Sequence, residues 1–369
     1  SQPITLNIEY SPIIEFNTSS PLTVNETNSA SVLCSARGNP EPFQTSWGRR
    51  PIDSTMRFAN VSRADMGKYT CEVKAKSTKH GMLKKSKEID IFVQYAPDLR
   101  VTVIGSARQN MTSIITCEAN GIPAKYTFHP WRHKIGDVEI RSGLHGVPEG
   151  IISSNTNMLT LEKMSLQDMG TYICSADNGI EGINGIVIQT SAVFLNVQGT
   201  ARVLKRHEDT FAGEIGSSIK MSVPFYSHPA IMTFKFQRNG SDVKNTSKTS
   251  MYLHKDSVDL MFHNTKVKLE VSTANLYIDN LTKADFKNYT LVLENALGET
   301  EFKLQLNEPG RPCKVQKFYI NRFMEDQVEL YFDPGFNGGA YQTFVIQYMS
   351  LASPDNKWHN TSLTNLGET

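Results

Sequence analysis

The sequence predicts an all-β chain built from repeated domains, on three observations. One pattern recurs at intervals of about 100 residues and ends at Cys71, Cys174 and Leu291. Each copy reads Φ-x-Φ-x-x-Φ-x-x-x-Asp-x-x-x-Tyr-x-Cys, where Φ is apolar and the third copy has Leu in place of Cys. Such alternation is typical of strands with one buried face, and the segment around Asp predicts a turn between two strands. A chain of 369 residues is also too long for one core, so several domains are expected.

Composition and charge exclude several functional classes. The hydrophobic fraction of 39% and the charged fraction of 20% are ordinary for globular domains. A net charge of +1 provides no global field that would attract nucleic acid. The most apolar stretch, residues 186–197, is interrupted by Gln, Thr, Ser and Asn, so it falls short of the ~18 apolar residues of a membrane span. We expect any membrane anchor to lie outside this chain.

A second predicted strand precedes each copy of the pattern. These strands end at Cys34, Cys117 and Val223, and each is followed about thirteen residues later by a large aromatic residue. The aromatic residues are Trp47, Trp131 and Phe236. The third copy therefore has the same order of strands and turns, with apolar residues at both cysteine positions.

The succession of Cys, Trp and Asp-x-Gly-x-Tyr-x-Cys resembles the immunoglobulin superfamily, in particular its intermediate-set and C2-type domains. The resemblance implies tandem β-sandwiches in which Cys34 pairs with Cys71 and Cys117 with Cys174, each bridge crossing the core against a buried Trp. It also implies a tyrosine corner, in which a Tyr hydroxyl ties the chain where it passes between sheets, at Tyr69, Tyr172 and Tyr289. Because Val223 and Leu291 cannot form a bridge, the third sandwich is expected to be stabilised by packing around Phe236.

The pattern changes after residue 308. The proline-rich opening, VELYFDP, a Gly-rich loop and FVIQY resemble the first strands of a fibronectin type III domain, with Phe332 where that family has Trp. About 60 residues remain, so we expect a partial domain. The predicted divisions are 1–10 (last strand of a preceding immunoglobulin-like domain), 11–96, 97–199 and 200–308 (three immunoglobulin-like domains, the last without a disulfide) and 309–369 (partial fibronectin type III). At two domain junctions the linker is about one residue followed by proline. Such short, stiff linkers predict a semi-rigid rod.

No catalytic signature is found, so neither an enzyme nor a cofactor is predicted, and no small-molecule substrate is expected. His129, His133 and His145 lie close together in the sequence. They allow either a zinc site or scattered surface histidines, and we favour the second, which predicts no metal. The odd cysteine, Cys313, either has its partner outside this chain or carries a thiol that is free or bridged to another molecule.

Two features predict surface chemistry. Asn-x-Ser/Thr sequons are more frequent than the roughly four expected by chance, which favours a secreted glycoprotein. They occur at Asn17, Asn25, Asn60, Asn110, Asn239, Asn245, Asn280, Asn288 and Asn360. A hairpin after Cys71 is rich in lysine, at Lys74, Lys76, Lys79, Lys84, Lys85 and Lys87. These lysines either bind heparan sulfate or an acidic protein face, or they form a solvated hairpin that discourages edge pairing.

Tandem immunoglobulin domains running into fibronectin type III resemble the ectodomains of nephrin-type and neural cell adhesion proteins. The resemblance implies an extracellular adhesion or recognition module at the cell surface, part of a single-pass membrane protein. Its partner would be a cell-surface or matrix protein, either the same protein or a different one. Two alternatives remain open: the ligand-binding ectodomain of a receptor phosphatase or kinase, and a structural protein of the extracellular matrix.

Overall fold

The computed structural model describes residues 8–48, 53–146, 155–204, 210–323, 328–333, 335–339, 344–349 and 357–362. These residues form β-strands together with two short 3-10 turns, Arg63–Asp65 and Leu166–Asp168. Buried side chains fall into three separate clusters, as expected for three successive sandwiches. The all-β prediction is confirmed, and we name the three units the first, second and third sandwich.

The first sandwich has its core between two sheets. One sheet has the order β1-β3-β5, and the other contains β4, β6 and β7 with β2 paired to β7. Along β3, Val32 and Cys34 are buried while their neighbours are more exposed, which is the alternation seen in the sequence. Its strands are β1 (Tyr10–Phe16), β2 (Leu22–Asn25), β3 (Ala30–Asn39), β4 (Pro42–Trp47), β5 (Thr55–Phe58), β6 (Gly67–Ser77) and β7 (Gly81–Gly105).

The second sandwich shares β7 with the first. The later part of β7 pairs with β8 and β8 with β11, while the opposite sheet has the order β10-β9-β12-β13. Trp131 and Tyr172 are fully buried between these sheets, beside the cysteine pair. The new strands are β8 (Ser113–Ile122), β9 (Thr127–Ile135), β10 (Val138–Leu144), β11 (Thr156–Leu161), β12 (Gly170–Asp177) and β13 (Gln189–Leu195).

The third sandwich has sheets of order β14-β16-β20-β19 and β15-β22-β21-β17-β18. Val223 and Leu291, at the cysteine positions, are fully buried, and Leu291 pairs with the buried Phe236. Apolar packing therefore fills the space that a bridge and a Trp fill in the second sandwich. Its strands are β14 (Arg202–Val203), β15 (Thr210–Ala212), β16 (Ile219–Tyr226), β17 (Ile231–Arg238), β18 (Ser241–Asp242), β19 (Thr249–Phe262), β20 (Thr265–Ile278), β21 (Asn288–Asn295) and β22 (Gly298–Asn307).

The remaining strands form two separate pairs. The strands β23 (Gln316–Phe323) and β24 (Val328–Asp333) pair antiparallel, as do β25 (Val345–Tyr348) and β26 (His359–Ser362). The ring centroids of Phe332 and Phe344 lie 5.0 Å apart. The assignment of this region to a fibronectin type III domain stays a prediction. The assignment of residues 1–10 to a preceding domain also stays a prediction. Residues 1–7 lie outside the described part, and Tyr10 belongs to β1, where it pairs with Asn39 of β3.

Candidate interaction surfaces and domain junctions

The predicted disulfides are present in the first and second sandwiches. Cys34 is bonded to Cys71 and Cys117 to Cys174, with Cα–Cα distances of 6.5 and 6.3 Å. The bridges close loops of 37 and 57 residues, and each is worth about 4 kcal/mol in the chain-entropy model. This confirms the two cross-links that the sequence resemblance implied.

The three corner tyrosines form the same hydrogen bond. The hydroxyls of Tyr69, Tyr172 and Tyr289 donate to the main-chain oxygens of the aspartates four residues earlier, at 3.0, 3.0 and 2.9 Å. Those aspartates in turn accept from a backbone N–H three residues before them. The Asp and Tyr of the repeated pattern therefore hold one turn from both sides, and this explains why both recur in all three copies. The aspartates are Asp65, Asp168 and Asp285.

The third sandwich adds ion pairs to this turn. The carboxylate of Asp285 is 3.1 Å from the guanidinium of Arg238 and 2.6 Å from the ammonium of Lys248. Burial opposes ionisation of Asp285, but hydrogen bonds from Lys248 and Thr282 outweigh it and lower the pKa of Asp285 to about 2. The turn of the third sandwich is thus reinforced electrostatically, as is that of the second, where the guanidinium of Arg141 is 3.3 Å from the carboxylate of Asp168.

The first junction, between the first and second sandwiches, is made by an unbroken strand. The strand β7 pairs with β6 on one side of the junction and with β8 on the other, so both sandwiches are hydrogen-bonded to one segment. The guanidinium of Arg63 is paired with the carboxylates of Asp98 and Glu26 and lies 4.1 Å from the ring centroid of Tyr95. The side-chain amide of Asn178 donates to the main-chain oxygens of Tyr95 and Pro123, at 2.9 and 3.1 Å.

The second junction, between the second and third sandwiches, is made by an inserted hairpin. The strands β19 and β20 pair along their whole lengths, from Thr249 opposite Ile278 to Phe262 opposite Thr265. At the tip, Phe262 and Val267 are only 1% and 3% exposed, and both belong to the buried cluster of the second sandwich. The third sandwich therefore contributes side chains to the core of its neighbour.

Two histidines meet at this contact. His133 of the second sandwich is stacked on Tyr172 with ring centroids 4.4 Å apart, and its Nε2 lies 2.9 Å from the main-chain oxygen of Met169. His263, at the hairpin tip, has its Nε2 3.5 Å from a carboxylate oxygen of Asp168, and its ring centroid is 6.2 Å from that of His133. Arg141 contacts both Asp168 and the Nδ1 of His133.

Burial governs the ionisation of both histidines. It lowers the pKa of His133 to about 4, and it also lowers the pKa of His263. For both imidazoles the positive charge of Arg141 acts in the same direction. Both side chains are consequently neutral near pH 7.

The expectation that all three sequence-adjacent histidines are surface residues is wrong for His133. Its alternating position on β9 points into the sandwich, where its imidazole is fully buried. His129 instead contacts Asp177 at 3.0 Å, and His145 is exposed. Over the described residues, no group of three or more His, Cys, Asp or Glu side chains is arranged to hold a metal ion.

The lysine-rich hairpin is the turn between β6 and β7. Lys74 and Lys84 are directly opposite each other across this hairpin. Lys87 folds back, with its ammonium 3.2 Å from the main-chain oxygen of Ile14 and 5.0 Å from the ring centroid of Phe16. Heparan sulfate binding by these lysines stays a prediction.

The sequon asparagines are accessible in the structure. Eight of the nine are exposed and Asn25 is half-buried. Asn288 is exposed although it precedes the buried Tyr289, because neighbouring residues on β21 point to opposite faces. Glycosylation of these residues stays a prediction. Cys313 is exposed and forms no disulfide with the other four cysteines, all of which lie in the described residues.

A further surface feature was not anticipated from the sequence. The stretch that reads as the most apolar of the chain does not lie in the core along its whole length. Its side chains and those of the preceding loop are exposed by 79% at Ile183, 53% at Ile186, 41% at Val187, 44% at Ile188 and 59% at Phe194. Hydropathy alone could have drawn attention to this stretch, but only the structure shows that it faces solvent. Among the described residues no helix is both long and apolar enough to cross a membrane.

Curated proteins with similar sequences are cell-surface proteins of one superfamily. Mouse nephrin is 25% identical over 378 residues, which cover 95% of this chain and 27% of nephrin. Chicken neuronal growth regulator 1 is 26% identical over 210 residues, covering 54% of this chain and 56% of that protein. Rat limbic system-associated membrane protein is 26% identical over 179 residues, which cover 47% of this chain and 50% of that protein. The chain therefore spans about a quarter of the length of nephrin, and no family model matches it.

Solved structures that resemble the chain are also arrays of immunoglobulin domains. Dpr2 Ig1–Ig2 in complex with DIP-Theta Ig1–Ig3 gives a TM-score of 0.44 at 18% identity, covering 80% of this chain and 99% of that one. The ectodomain of mouse nectin-like molecule 4 gives a TM-score of 0.43 at 14% identity, and the match covers 80% of this chain and 100% of that one.

The sandwiches, their disulfides and the shared tyrosine corner define a tandem array of immunoglobulin-type domains. The sequence is similar to members of the immunoglobulin superfamily over nearly its whole length. Within the superfamily it resembles nephrin and neural cell-surface proteins such as neuronal growth regulator 1.

Proposed function

We propose that the chain is an extracellular adhesion or recognition module, part of the ectodomain of a single-pass membrane protein, that binds another cell-surface or matrix protein. The observation that carries the proposal is the similarity to nephrin, which extends over 95% of the chain. The two disulfides support an oxidising, extracellular location. The exposed sequons are consistent with the same route of synthesis.

The structure gives this role a physical basis. Because both junctions between sandwiches are packed, the array holds its binding surfaces at fixed spacing rather than on a flexible tether. Binding of this type is usually weak for each contact and gains strength from many copies arrayed on two surfaces. A rigid array lowers the ordering entropy that each contact must overcome.

The test uses beads coated with the glycosylated chain at high density. Beads that aggregate with one another, or that adhere to cells displaying a cell-surface protein, are the expected result. Beads coated with chain in which both disulfides have been reduced and alkylated serve as the control. Beads that neither aggregate nor adhere to any of a panel of displayed ectodomains would rule out the adhesion role.

The lysine-rich hairpin supports heparan sulfate as a second ligand. Like charges directly opposite each other on a hairpin are destabilising, as for Lys74 and Lys84, and a polyanion would relieve this repulsion. We expect the chain to be retained on heparin, and the double variant Lys74→Gln/Lys84→Gln to elute at lower salt. The double variant Lys266→Gln/Lys268→Gln, on β20, is the matched control. Equal elution of both variants would contradict the assignment.

A further inference from the structure

The third sandwich has a long open sheet edge. The strand β19 is the last strand of its sheet, so within the described part of the chain one side of it faces no other strand. It has 14 residues, whereas the longest other terminal strands described in the three sandwiches, β1, β10 and β13, have seven. Unpaired main-chain groups along such an edge can pair with a strand of another molecule and cause aggregation. A long edge therefore needs a cover.

The turn that follows β19 determines which of its N–H groups point outward. Both residues of this turn, His263 and Asn264, have positive φ, as in a type I′ hairpin. The pair that flanks the turn, Phe262 and Thr265, is then hydrogen-bonded, and alternate residues of β19 repeat this because the pairing with β20 runs without a bulge. The N–H groups of the odd-numbered residues of β19 therefore point away from β20.

The loop before β19 caps the beginning of this edge. The N–H of Thr249 donates to the hydroxyl oxygen of Thr246 at 3.1 Å. The N–H of Met251 donates to the side-chain Oδ1 of Asn245 at 2.8 Å. Both donors are odd-numbered, in agreement with the direction inferred from the turn. The N–H of Thr246 also donates to the main-chain oxygen of Thr249 at 2.8 Å, so the loop holds the Asn245 side chain against the edge.

The far part of the edge is covered by other means. The N–H of Ser257 donates to the carboxylate of Asp256 at 2.8 Å. Lys255 and Asp256 also place exposed charges there, and charges on an edge oppose pairing with another strand. From Leu260 onward the strand packs against the core of the second sandwich.

One gap remains between these two covered parts, at Leu253. Among the residues that the structure describes, the N–H groups of Leu253 and Lys255 have no hydrogen-bond partner. Lys255 is charged, but the side chains beside the first of these groups are apolar and exposed, by 42% at Tyr252 and 38% at Leu253, on opposite faces of the sheet. The N–H of Leu253 is about 7 Å along the strand from that of Met251, which Asn245 caps. The gap is thus next to a sequon.

An N-linked sugar on Asn245 has the chemistry to cover this gap. Residues 245–247 form the sequon, and Asn245 is exposed. Glycosylation joins its Nδ2 to C1 of an N-acetylglucosamine, while the bond from that carbon to the diphosphate of a lipid-linked donor breaks and Nδ2 loses one proton. Oδ1 is unchanged and still accepts from the N–H of Met251. The hydroxyl and acetamide oxygens of the sugar can accept from the N–H of Leu253, and its C–H groups can pack on the exposed apolar side chains.

We propose that a glycan on Asn245 covers the open edge of β19 and prevents the third sandwich from pairing with other chains through that edge. The inference goes beyond the proposed adhesion function and rests only on the extracellular route of synthesis proposed with it. The side chain of Asn17 makes a similar bond to the N–H of Leu33, at 2.8 Å. There, however, the strand β3 lies between β1 and β5 and has no open edge to cover.

Two serine variants of the full chain, secreted from glycosylating cells, provide a matched test. Ser247→Ala removes the sequon at Asn245 but keeps the Asn245 side chain and its bond to the edge. Ser241→Ala removes the sequon at Asn239, in the turn between β17 and β18 of the opposite sheet, and is the control. Mass spectrometry of glycopeptides measures the occupancy of each site in the native chain.

Amide hydrogen exchange measures the cover itself. We expect exchange at Leu253 to be about fivefold faster in Ser247→Ala than in the native chain, the effect of one lost hydrogen bond. Exchange at Leu253 should be unchanged in Ser241→Ala. Equal exchange at this residue in all three proteins would overturn the proposal.

Aggregation of the same proteins measures what the cover does. Light scattering at equal concentration should show that Ser247→Ala aggregates several-fold faster than the native chain and than Ser241→Ala. Adding Leu253→Lys to the Ser247 variant places a charge in the gap and should restore the native rate. Melting temperatures establish that all variants are folded. Aggregation that Leu253→Lys does not slow would originate elsewhere and overturn the proposal.

The failure of this inference and the failure of the extracellular assignment give different results. An unoccupied Asn245 in a chain whose other sequons carry glycans overturns the cover and leaves the extracellular role intact. A secreted chain in which every sequon is unoccupied overturns the cover and also contradicts the proposed route of synthesis.

Discussion

The two junctions of the array achieve rigidity by different means. At the first junction, β7 belongs to both sandwiches, so the main chain itself carries the connection. At the second, the tip of a long hairpin from the third sandwich inserts Phe262 and Val267 into the core of the second. At the first junction the pairing of β7 with the first sandwich extends to Gln94, and its pairing with the second begins at Tyr95, so both sandwiches are aligned on one strand. The second can separate as one unit, by withdrawal of the tip.

The side chains at the two junctions also differ in polarity and burial. Around the first junction they are polar, and the Arg63 side chain is 40% exposed, so its ion pairs are worth about 0–1 kcal/mol each. At the second, the side chains inserted from the hairpin tip are apolar and buried, and loss of a large aromatic side chain there costs about 3–5 kcal/mol. We therefore infer that side-chain mutations weaken the second junction far more than the first.

The largest effect is expected from Phe262→Ala. Removing this buried ring should weaken docking of the hairpin on the second sandwich by about 3–5 kcal/mol, because both the transfer free energy and the filled volume are lost. Hydrogen exchange should accelerate in residues 258–269, with little change before residue 105. Tyr252→Ala, on the exposed part of the same strand, is the control. Retained protection of the tip in the Phe262 variant would show that the insertion contributes little.

Acid is expected to loosen the second sandwich and its contact with the hairpin. The pKa of His133 is about 4 in the folded chain, below the ordinary 6.5, so the unfolded chain binds the proton more readily. The stability due to neutral His133 is therefore complete above pH 6.5 and is lost as the pH falls toward 4, by about 2 kcal/mol between pH 7 and 5.

The pKa of His263 is also lowered by burial, so protonation of its imidazole at acid pH likewise opposes docking. Arg141 reinforces this effect, while the carboxylate of Asp168 partly offsets it. Denaturant titrations at pH 7 and pH 5 measure the loss of stability. Hydrogen exchange at the same two pH values shows which junction loses protection. The contacts described for the first junction include no histidine, so that junction is the internal control. Equal loss of protection at both junctions would contradict the assignment to His133 and His263.

The sequence predicted those features that depend on local pattern. Cysteine, tryptophan and corner tyrosine positions follow from alternation along single strands and from fixed spacing between them. Val223 and Leu291 could be assigned to the cysteine positions for the same reason, although they cannot form a bridge. Each of these residues packs within its own sandwich, so the same residue types recur at the same positions of the repeated pattern.

Features that depend on contact between sandwiches could not be predicted in this way. The segment from Thr249 to Ile278 shows alternation, which indicates strands, but alternation cannot reveal that Phe262 is covered by another sandwich. The burial of His133 could not be predicted either, because it depends on contacts with Tyr172 and Met169, which are distant in sequence. For the segment from Ile183 to Phe194 the error is the reverse. Its apolar residues would be expected in a core, but several of them are exposed.

An intermediate effect is expected from Asn178→Ala at the first junction. Its amide bonds to the main-chain oxygens of Tyr95 and Pro123 would be lost, at a cost of about 1–2 kcal/mol because two acceptors are left without this donor. Hydrogen exchange should increase locally around residues 121–126. Asn184→Ala, in the exposed loop nearby, is the matched control. A change that extends into the hairpin tip at Phe262 would contradict the independence of the two junctions.

The smallest effect is expected from Arg63→Ala, although Arg63 makes the most contacts at the first junction. The Arg63 side chain is partly exposed in its ion pairs with Asp98 and Glu26, so these pairs contribute little. Its contact with the Tyr95 ring adds about 0.5–1 kcal/mol. Because β7 remains continuous, we expect the two sandwiches to keep their relative orientation, measured by small-angle scattering, and the stability to fall by about 1 kcal/mol. High salt should remove most of the difference between the variant and the native chain, since it screens the ion pairs. A bent or flexible first junction in this variant would show that the side-chain clamp, and not the shared strand, fixes the geometry.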